Sequence, residues 1–286
     1  MHIEDKSLRL GKGPEGFLLI HGLGGTPVEM RYVAQGLARA GYTVHVPQLA
    51  GHCGTVEELN ATTWQHWYES VEEEHQRLRE NCSRIVVGGL SMGAILALHH
   101  AAQNPDTVSA LALYAPSLWL DGWGVPWYSH FFKLITQKWL AQIFPFAERH
   151  PWGIKDPRIR SLVEQAIKSG DSSQAGIAAL PGSLMLELRW LVQRVKQELA
   201  QITQPALIVH PRHDDRASLR NVYFLQEKLG GPTQTVVLDD SYHIVTIDRQ
   251  RELVVQRTLD FVSQTEWKRV AALSDDSLAA VLNAGP

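Results

Sequence analysis

The run Arg84-Ile85-Val86-Val87 leads through Gly88-Gly89-Leu90-Ser91-Met92-Gly93 into Ala94-Ile95-Leu96-Ala97-Leu98-His99-His100-Ala101-Ala102. The β-branched residues before the glycines favour a strand, and the alanines and leucines after them form helix readily. A strand must therefore turn into a helix within a few residues, with glycine on each side of Leu90-Ser91-Met92. Only glycine tolerates the strained backbone of so sharp a turn and leaves room for the helix to pack close against the strand. The turn lifts a serine hydroxyl to the carboxyl edge of a sheet, and the N-terminus of the next helix points its dipole at the same place, where negative charge is favoured. Ser91 is accordingly the candidate nucleophile.

The rest of the chain has the rhythm of a parallel sheet. Short apolar runs at 17–20, 43–46, 84–87 and 108–114 alternate with helical patterns, and the pattern resumes at 205–210 and 235–238 before a helix over about 250–262. The segments 30–40 and 64–81 are predicted crossover helices, the second carrying Glu72, Glu73 and Glu74 on a solvated face. From Ser117 to Ala200 no strand-like run appears. There Tyr128, Phe132, Ile135, Trp139 and Ile143 recur at helical spacing, as do Leu184, Leu188, Leu191, Val195 and Leu199. The expected architecture is an α/β core over 1–116 and 201–267, a helical cap inserted at 117–200, and a tail at 268–286.

A serine hydroxyl is a weak nucleophile and needs a base to take its proton, with a carboxylate to orient that base. After the strand ending at His210 comes Pro211-Arg212-His213-Asp214-Asp215, and after the strand ending at Leu238 comes Asp239-Asp240-Ser241-Tyr242-His243. His243 alone follows a late strand and precedes the last helix, so it is the candidate base. His213 is adjacent to the acid and badly placed to serve Ser91. Asp214 and Asp215 compete for the acid. The first strand ends in His21-Gly22-Leu23-Gly24-Gly25, whose glycines leave backbone N–H groups unobstructed. The N–H groups of Leu23 and Met92 form the predicted oxyanion hole. The loop lacks the lysine of a phosphate-binding loop, and His21 is expected to support it from within.

Composition narrows the partners. A formal charge of −3 with 20% charged residues supplies no basic stripe for nucleic acid, and no run approaches the roughly 18 apolar residues of a membrane span. With no signal-like start and only Cys53 and Cys82, a cytoplasmic protein with free thiols is expected. Neither the H-E-x-x-H pattern nor Cys/His metal-ligand spacing occurs, so no metal or other cofactor is expected.

The pieces His21-Gly22-Leu23-Gly24-Gly25, Gly41-Tyr42-Thr43-Val44, Gly51-His52 with Glu57-Glu58-Leu59, Trp64 with Trp67, Gly89 to Gly93, Arg212-His213-Asp214 and Tyr242-His243 together resemble the microbial carboxylesterase and monoacylglycerol lipase branch of the α/β-hydrolase superfamily. The resemblance covers nearly the whole sheet region and thins in the cap. It implies hydrolysis of carboxylic esters without a cofactor. It also favours Asp214 as the acid, because family members place the acid directly after an Arg-His or similar pair. Asp215-Arg216-Ala217 departs from the more apolar residue often found after the acid.

Aromatic residues crowd the early cap. Most are expected to be packing, and Trp119, Trp123, Trp127 and Phe131 are the candidates to line an apolar acyl pocket. Arg149, His150, Lys155 and Arg158 are expected to be a solvated basic face. The substrate expected is a small ester with an apolar acyl group, a medium-chain ester or monoacylglycerol. The same triad also serves thioesters, amides, peptides and carbon–carbon bonds, and a hydrolase scaffold can persist as a binding module without chemistry.

Overall fold

The computed structural model describes residues 5–125, 127–147, 150–168, 176–177 and 179–264. Its strands are β1 (Leu8–Leu10), β2 (Glu15–Ile20), β3 (Thr43–Val46), β4 (Arg84–Leu90), β5 (Val108–Tyr114), β6 (Pro145–Ala147), β7 (Ala179–Pro181), β8 (Ala206–Pro211) and β9 (Thr233–Leu238). Its helices are α1 (Arg31–Arg39), α2 (Val56–Asn60), α3 (Trp64–Arg79), α4 (Met92–Gln103), α5 (Lys138–Ala141), α6 (Pro157–Lys168), α7 (Gly182–Glu198), α8 (Arg220–Lys228) and α9 (251–264). Seven strands form one sheet in the order β1-β3-β2-β4-β5-β8-β9, parallel throughout except where β1 pairs with β3. This is the α/β-hydrolase fold, and of the seven only β1 escapes the sequence reading. Three residues at a sheet edge are too few to display a period.

Successive residues of the central strands enter opposite cores. Leu18 and Ile20 of β2, Ile85 and Val87 of β4, and Leu111 and Leu113 of β5 pack on one face with α3, α4, α7 and α8. Phe17 and Leu19, Val86, and Ala110 and Ala112 pack on the other with α1 and α9. Both faces are covered by helices, so these strands read as continuous apolar runs rather than alternating ones. β3 lies on one side of β2 and β4 on the other. The carboxyl ends of β2 and β4 therefore flank the point where the winding reverses, the usual crevice for a ligand in an open α/β sheet.

Among the described residues between β5 and β8 no strand joins this sheet, yet β6 and β7 pair antiparallel with each other, a correction to the strandless segment expected from the sequence. The spacing of Leu184, Leu188, Leu191, Val195 and Leu199 is realised as the buried face of α7 and the short turn after it. Glu198 fastens this helix to α4, accepting hydrogen bonds from His99 Nδ1 at 2.7 Å and Gln103 Nε2 at 2.9 Å and pairing with Arg194 Nε at 2.7 Å. The other apolar series does not form one helical face. Residues 127–134 are a 3₁₀ helix, α5 begins only at Lys138, and Trp139 and Ile143 are exposed. With three residues per turn, positions four apart no longer stack.

Glu74 also departs from expectation. It is buried, with Arg9 Nε at 2.7 Å, His45 Nδ1 at 2.8 Å and Arg77 Nη1 at 2.7 Å around its carboxylate. Those partners outweigh the effect of burial and hold its pKa well below the usual carboxylate range. Arg149 and the tail at 268–286 lie outside the described residues.

Candidate active site

Ser91 sits between β4 and α4 with φ 57° and ψ −114°, a backbone conformation that a side-chain-bearing residue adopts only under constraint. The constraint is visible in its glycines. A methyl group on Gly89 would lie 2.4 Å from the backbone of Gly93, and one on Gly93 would lie 2.1 Å from the carbonyl oxygen of Ile20 in β2. Ser91 N–H donates to Tyr114 O at 2.9 Å, which ties the turn to the end of β5. Met92 opens α4, so its N–H has no acceptor within the helix.

The loop after β2 lies against this turn, for a methyl group on Gly22 would be 3.8 Å from Ser91 Cβ. Its N–H groups are nearly all engaged. Gly22 donates to Glu29 Oε2 at 3.2 Å, Gly24 to His52 Nε2 at 3.2 Å, and Gly25 to Gly22 O at 3.1 Å. Among the described residues the N–H of Leu23 has no acceptor, although its neighbours on both sides do. His21 supports the loop from within, as expected: Nδ1 lies 2.9 Å from Gly22 O, and Nε2 accepts from Leu49 N–H at 3.3 Å. Burial lowers its pKa to about 4, so it is neutral and able to donate through one nitrogen while accepting through the other. His52, which the sequence reading gave no such part, does the same for Gly24, with Nδ1 3.1 Å from Ala50 O and a pKa drawn well down by burial and by neighbouring His21.

The two aspartates after β8 divide the work. Asp214 is buried and meets His243 Nδ1 with both oxygens, Oδ2 at 2.8 Å and Oδ1 at 3.0 Å. Burial alone would raise its pKa, but His243, His210 and the N–H of Ala217 reverse the effect and leave it below the ordinary value. Asp215 faces backbone instead, accepting from His243 N–H at 3.3 Å and from Gly153 N–H at 3.1 Å. His213 is exposed, and only its carbonyl is engaged here, by Trp123 Nε1 at 3.1 Å.

His243 is buried, and its Nε2 has no hydrogen-bond partner among the described residues. Ser91 Oγ stands 3.1 Å from the hydroxyl of Ser117, and no hydrogen bond joins it to His243 among the described residues. The loop carrying His243 is braced by buried Asp248, which accepts from Tyr242 N–H at 2.7 Å and from Lys155 and Asp156 N–H at 2.9 and 2.8 Å. Ser117, Asp215 and Asp248 act through contacts between distant segments, and no local spacing announces them.

The aromatic candidates scatter. Trp119 is taken up in packing, with Lys196 Nζ 3.9 Å above its ring, Arg220 at 5.0 Å on it and Phe224 edge-on at 4.9 Å. Trp123 is exposed beside Tyr242, and Phe131 is exposed. The side chain of Trp127 is outside the described residues. The apolar residues that do meet the loop after β2 are Leu180, whose methyl would lie 2.7 Å from a Cβ on Gly24, and Ile177, whose N–H donates to Gly24 O at 2.9 Å. A surface cleft of about 520 Å³ between Trp64, Tyr68, His99 and Arg194 shares no residue with this constellation.

Residues 15–250 match the family described as serine aminopeptidase S33. A thermostable monoacylglycerol lipase of a Bacillus species is 30% identical over 253 residues, which cover 88% of this chain and 92% of the relative. A carboxylesterase of Bacillus subtilis is 25% identical over 260 residues, 89% of this chain and 95% of the relative. Among solved structures, one from work on the metagenome-derived lipolytic enzymes LipS and LipT superposes with a TM-score of 0.77 at 25% identity, covering 90% of this chain and 97% of that one.

Proposed function

Because the chain belongs to the serine aminopeptidase S33 family of α/β-hydrolases, we propose that it is a lipase- or esterase-type hydrolase that cleaves carboxylic esters through an acyl-enzyme on Ser91, with His243 as base and Asp214 as the carboxylate that orients it. The observation that carries this reading is the Asp214–His243 pair. Both carboxylate oxygens engage Nδ1, which leaves the opposite nitrogen buried, unpartnered and able to accept a proton. The strained turn at Ser91 and the uncommitted N–H of Leu23 beside it support the same reading.

In the reaction, His243 Nε2 takes the Ser91 proton as Oγ attacks the ester carbonyl, and the N–H groups of Leu23 and Met92 hold the resulting oxyanion. Each donor is worth on the order of 3 kcal/mol of transition-state stabilisation. Asp214, ionised at neutral pH, stabilises the imidazolium, which then protonates the departing alcohol. Water repeats the sequence on the acyl-enzyme. Every step uses groups of this chain, so the proposal includes no cofactor. The names of the curated relatives support a monoacylglycerol or other carboxylic ester as substrate; a medium-length acyl chain is part of the proposal, and the segment between β5 and β8 is proposed as the cap that shapes the acyl site. Two cysteines in 286 residues are too few to staple a core of this size, which suits a reducing compartment, and the proposal places the protein in the cytoplasm.

The test is labelling with a fluorophosphonate probe and a substrate panel. Labelling at Ser91 that disappears in Ser91→Ala is expected, with medium-chain esters turned over faster than thioesters or aminoacyl arylamides. An unlabelled but folded wild-type chain would overturn the enzyme reading. A preference for arylamides would move the activity to the peptidase that the family's description names.

A further inference from the structure

Ser117 follows β5, buried and held firmly in place. Ala115 N–H donates to Val209 O at 2.8 Å, and the N–H groups of Leu118 and Trp119 both donate to Asn221 Oδ1 at 2.8 Å. The Ser117 hydroxyl has two neighbours, the carbonyl of Ala115 at 3.2 Å and Ser91 Oγ at 3.1 Å. Each serine has one proton to donate. If Ser117 gave its proton to Ser91, the Ala115 carbonyl would lose this donor and the Ser91 proton would find no acceptor among the described residues. If Ser117 gives its proton to Ala115, it is left with lone pairs to accept from Ser91, and both protons are used. The second arrangement makes two hydrogen bonds where the first makes one.

In that arrangement the Ser91 proton goes to Ser117, while the nitrogen expected to receive it, His243 Nε2, is buried and has no partner among the described residues. Taking the catalytic assignment above as its premise, we infer that Ser117 is a positioning residue that holds the Ser91 hydroxyl in an unarmed orientation, and that acylation begins when Ser91 exchanges Ser117 for His243 as its hydrogen-bond partner. The exchange moves one hydrogen bond, from the Ser117 hydroxyl to His243 Nε2.

The consequence is confined to one half of the cycle. In the acyl-enzyme Ser91 Oγ carries no proton, so Ser117 has nothing to hold. Removing the Ser117 hydroxyl should therefore speed acylation and leave deacylation unchanged, whereas a general disturbance of the site would slow both.

The experiment is stopped-flow hydrolysis of a p-nitrophenyl ester by the full chain, reading the burst for acylation and the steady state for deacylation, with fluorophosphonate labelling of the wild type run alongside. Loss of one ordinary hydrogen bond from the resting state corresponds to an acylation rate about threefold to tenfold higher in Ser117→Ala. Ser117→Cys, which conserves shape and supplies a poor acceptor, should fall between Ser117→Ala and wild type and guards against a folding defect in the alanine variant. Acylation unchanged or slower in both variants, or a parallel change in acylation and deacylation, would overturn the inference while labelling of the wild type at Ser91 kept the catalytic assignment intact. A wild type that fails to label would overturn both.

Discussion

Asp215 accepts the backbone N–H of His243 at 3.3 Å, while the imidazole of the same residue is left to the preceding aspartate. Adjacent carboxylates thus hold different parts of one histidine. Asp214→Asn should lower kcat about 10⁴-fold, because an amide stabilises the wrong imidazole tautomer and supplies no charge. Asp215→Asn should leave kcat within about tenfold and instead lower stability by about 1–3 kcal/mol, since one of the two N–H groups it serves is left facing an amide N–H. Ester turnover and denaturant unfolding of the two variants, measured side by side, check this division. Equal losses of activity would refute it.

His52 acts on the loop after β2 through a single nitrogen, the acceptor for Gly24 N–H. His52→Phe preserves a ring to pack edge-on against His21 and Trp67 and removes that acceptor. A buried N–H without a partner costs about 1–3 kcal/mol, and the loop that presents Leu23 should lose its fixed position. The expected result is an acylation rate about tenfold lower with KM little changed, read from burst kinetics. An unaltered burst would mean that the loop holds its shape without His52.

Burial depresses the pKa of five histidines below the ordinary value of 6.5, His21 to about 4, His75 to about 4 and His100 to about 3, with His52 and His210 also lowered. A histidine with a depressed folded-state pKa binds its proton more weakly folded than unfolded. Its neutral state supports the fold fully above the unfolded value, and that support is lost as pH falls from about 6.5 toward the folded value. Each such residue should contribute a slope of about 1.4 kcal/mol per pH unit over that window. Denaturant unfolding from pH 8 to pH 4 should show stability flat at first and falling below pH 6.5. The double variant His75→Phe/His100→Leu removes the imidazole pair whose nitrogens lie 2.5 Å apart, and its stability should fall less steeply with acid. A slope identical to wild type would refute the assignment.

Gly93→Ala sets a methyl group 2.1 Å from the Ile20 carbonyl, backbone against backbone. No side-chain rotation relieves such a contact, and a loss of about 3 kcal/mol or more is expected. Gly41→Ala meets nothing within 4 Å and bears only the cost of its positive φ of 102°, about 1–2 kcal/mol. Melting curves of the two variants should differ clearly, with Gly93→Ala the lower.

Most of the sheet was legible because β-branched residues concentrate in its strands and their neighbours are parallel and buried on both faces. The exceptions are β1 at its edge and the separate pair β6 and β7, each three residues long. The reading of 64–81 as a helix with a solvated acidic face erred at Glu74, whose partners Arg9 and His45 arrive from the edge strand β1 and its neighbour β3, far away in sequence. Ser91, Asp214 and His243 stood out because a strand end precedes each. Ser117 did not, since a serine three residues past a strand has no spacing that marks it, and its relation to Ser91 exists only once β4 and β5 are paired. The aromatic run misled for a different reason: it has helical spacing, but the backbone there is a 3₁₀ turn and a short helix.

Ile177 and Gly153, both from the stretch linking β5 to β8, donate their N–H groups to Gly24 O and to the Asp215 carboxylate. A protein engineer who excised that stretch, or grafted in another enzyme's, would strip a donor from the loop beside Ser91 and another from the loop beside His243. Swapping this region therefore demands that both stitches be resewn.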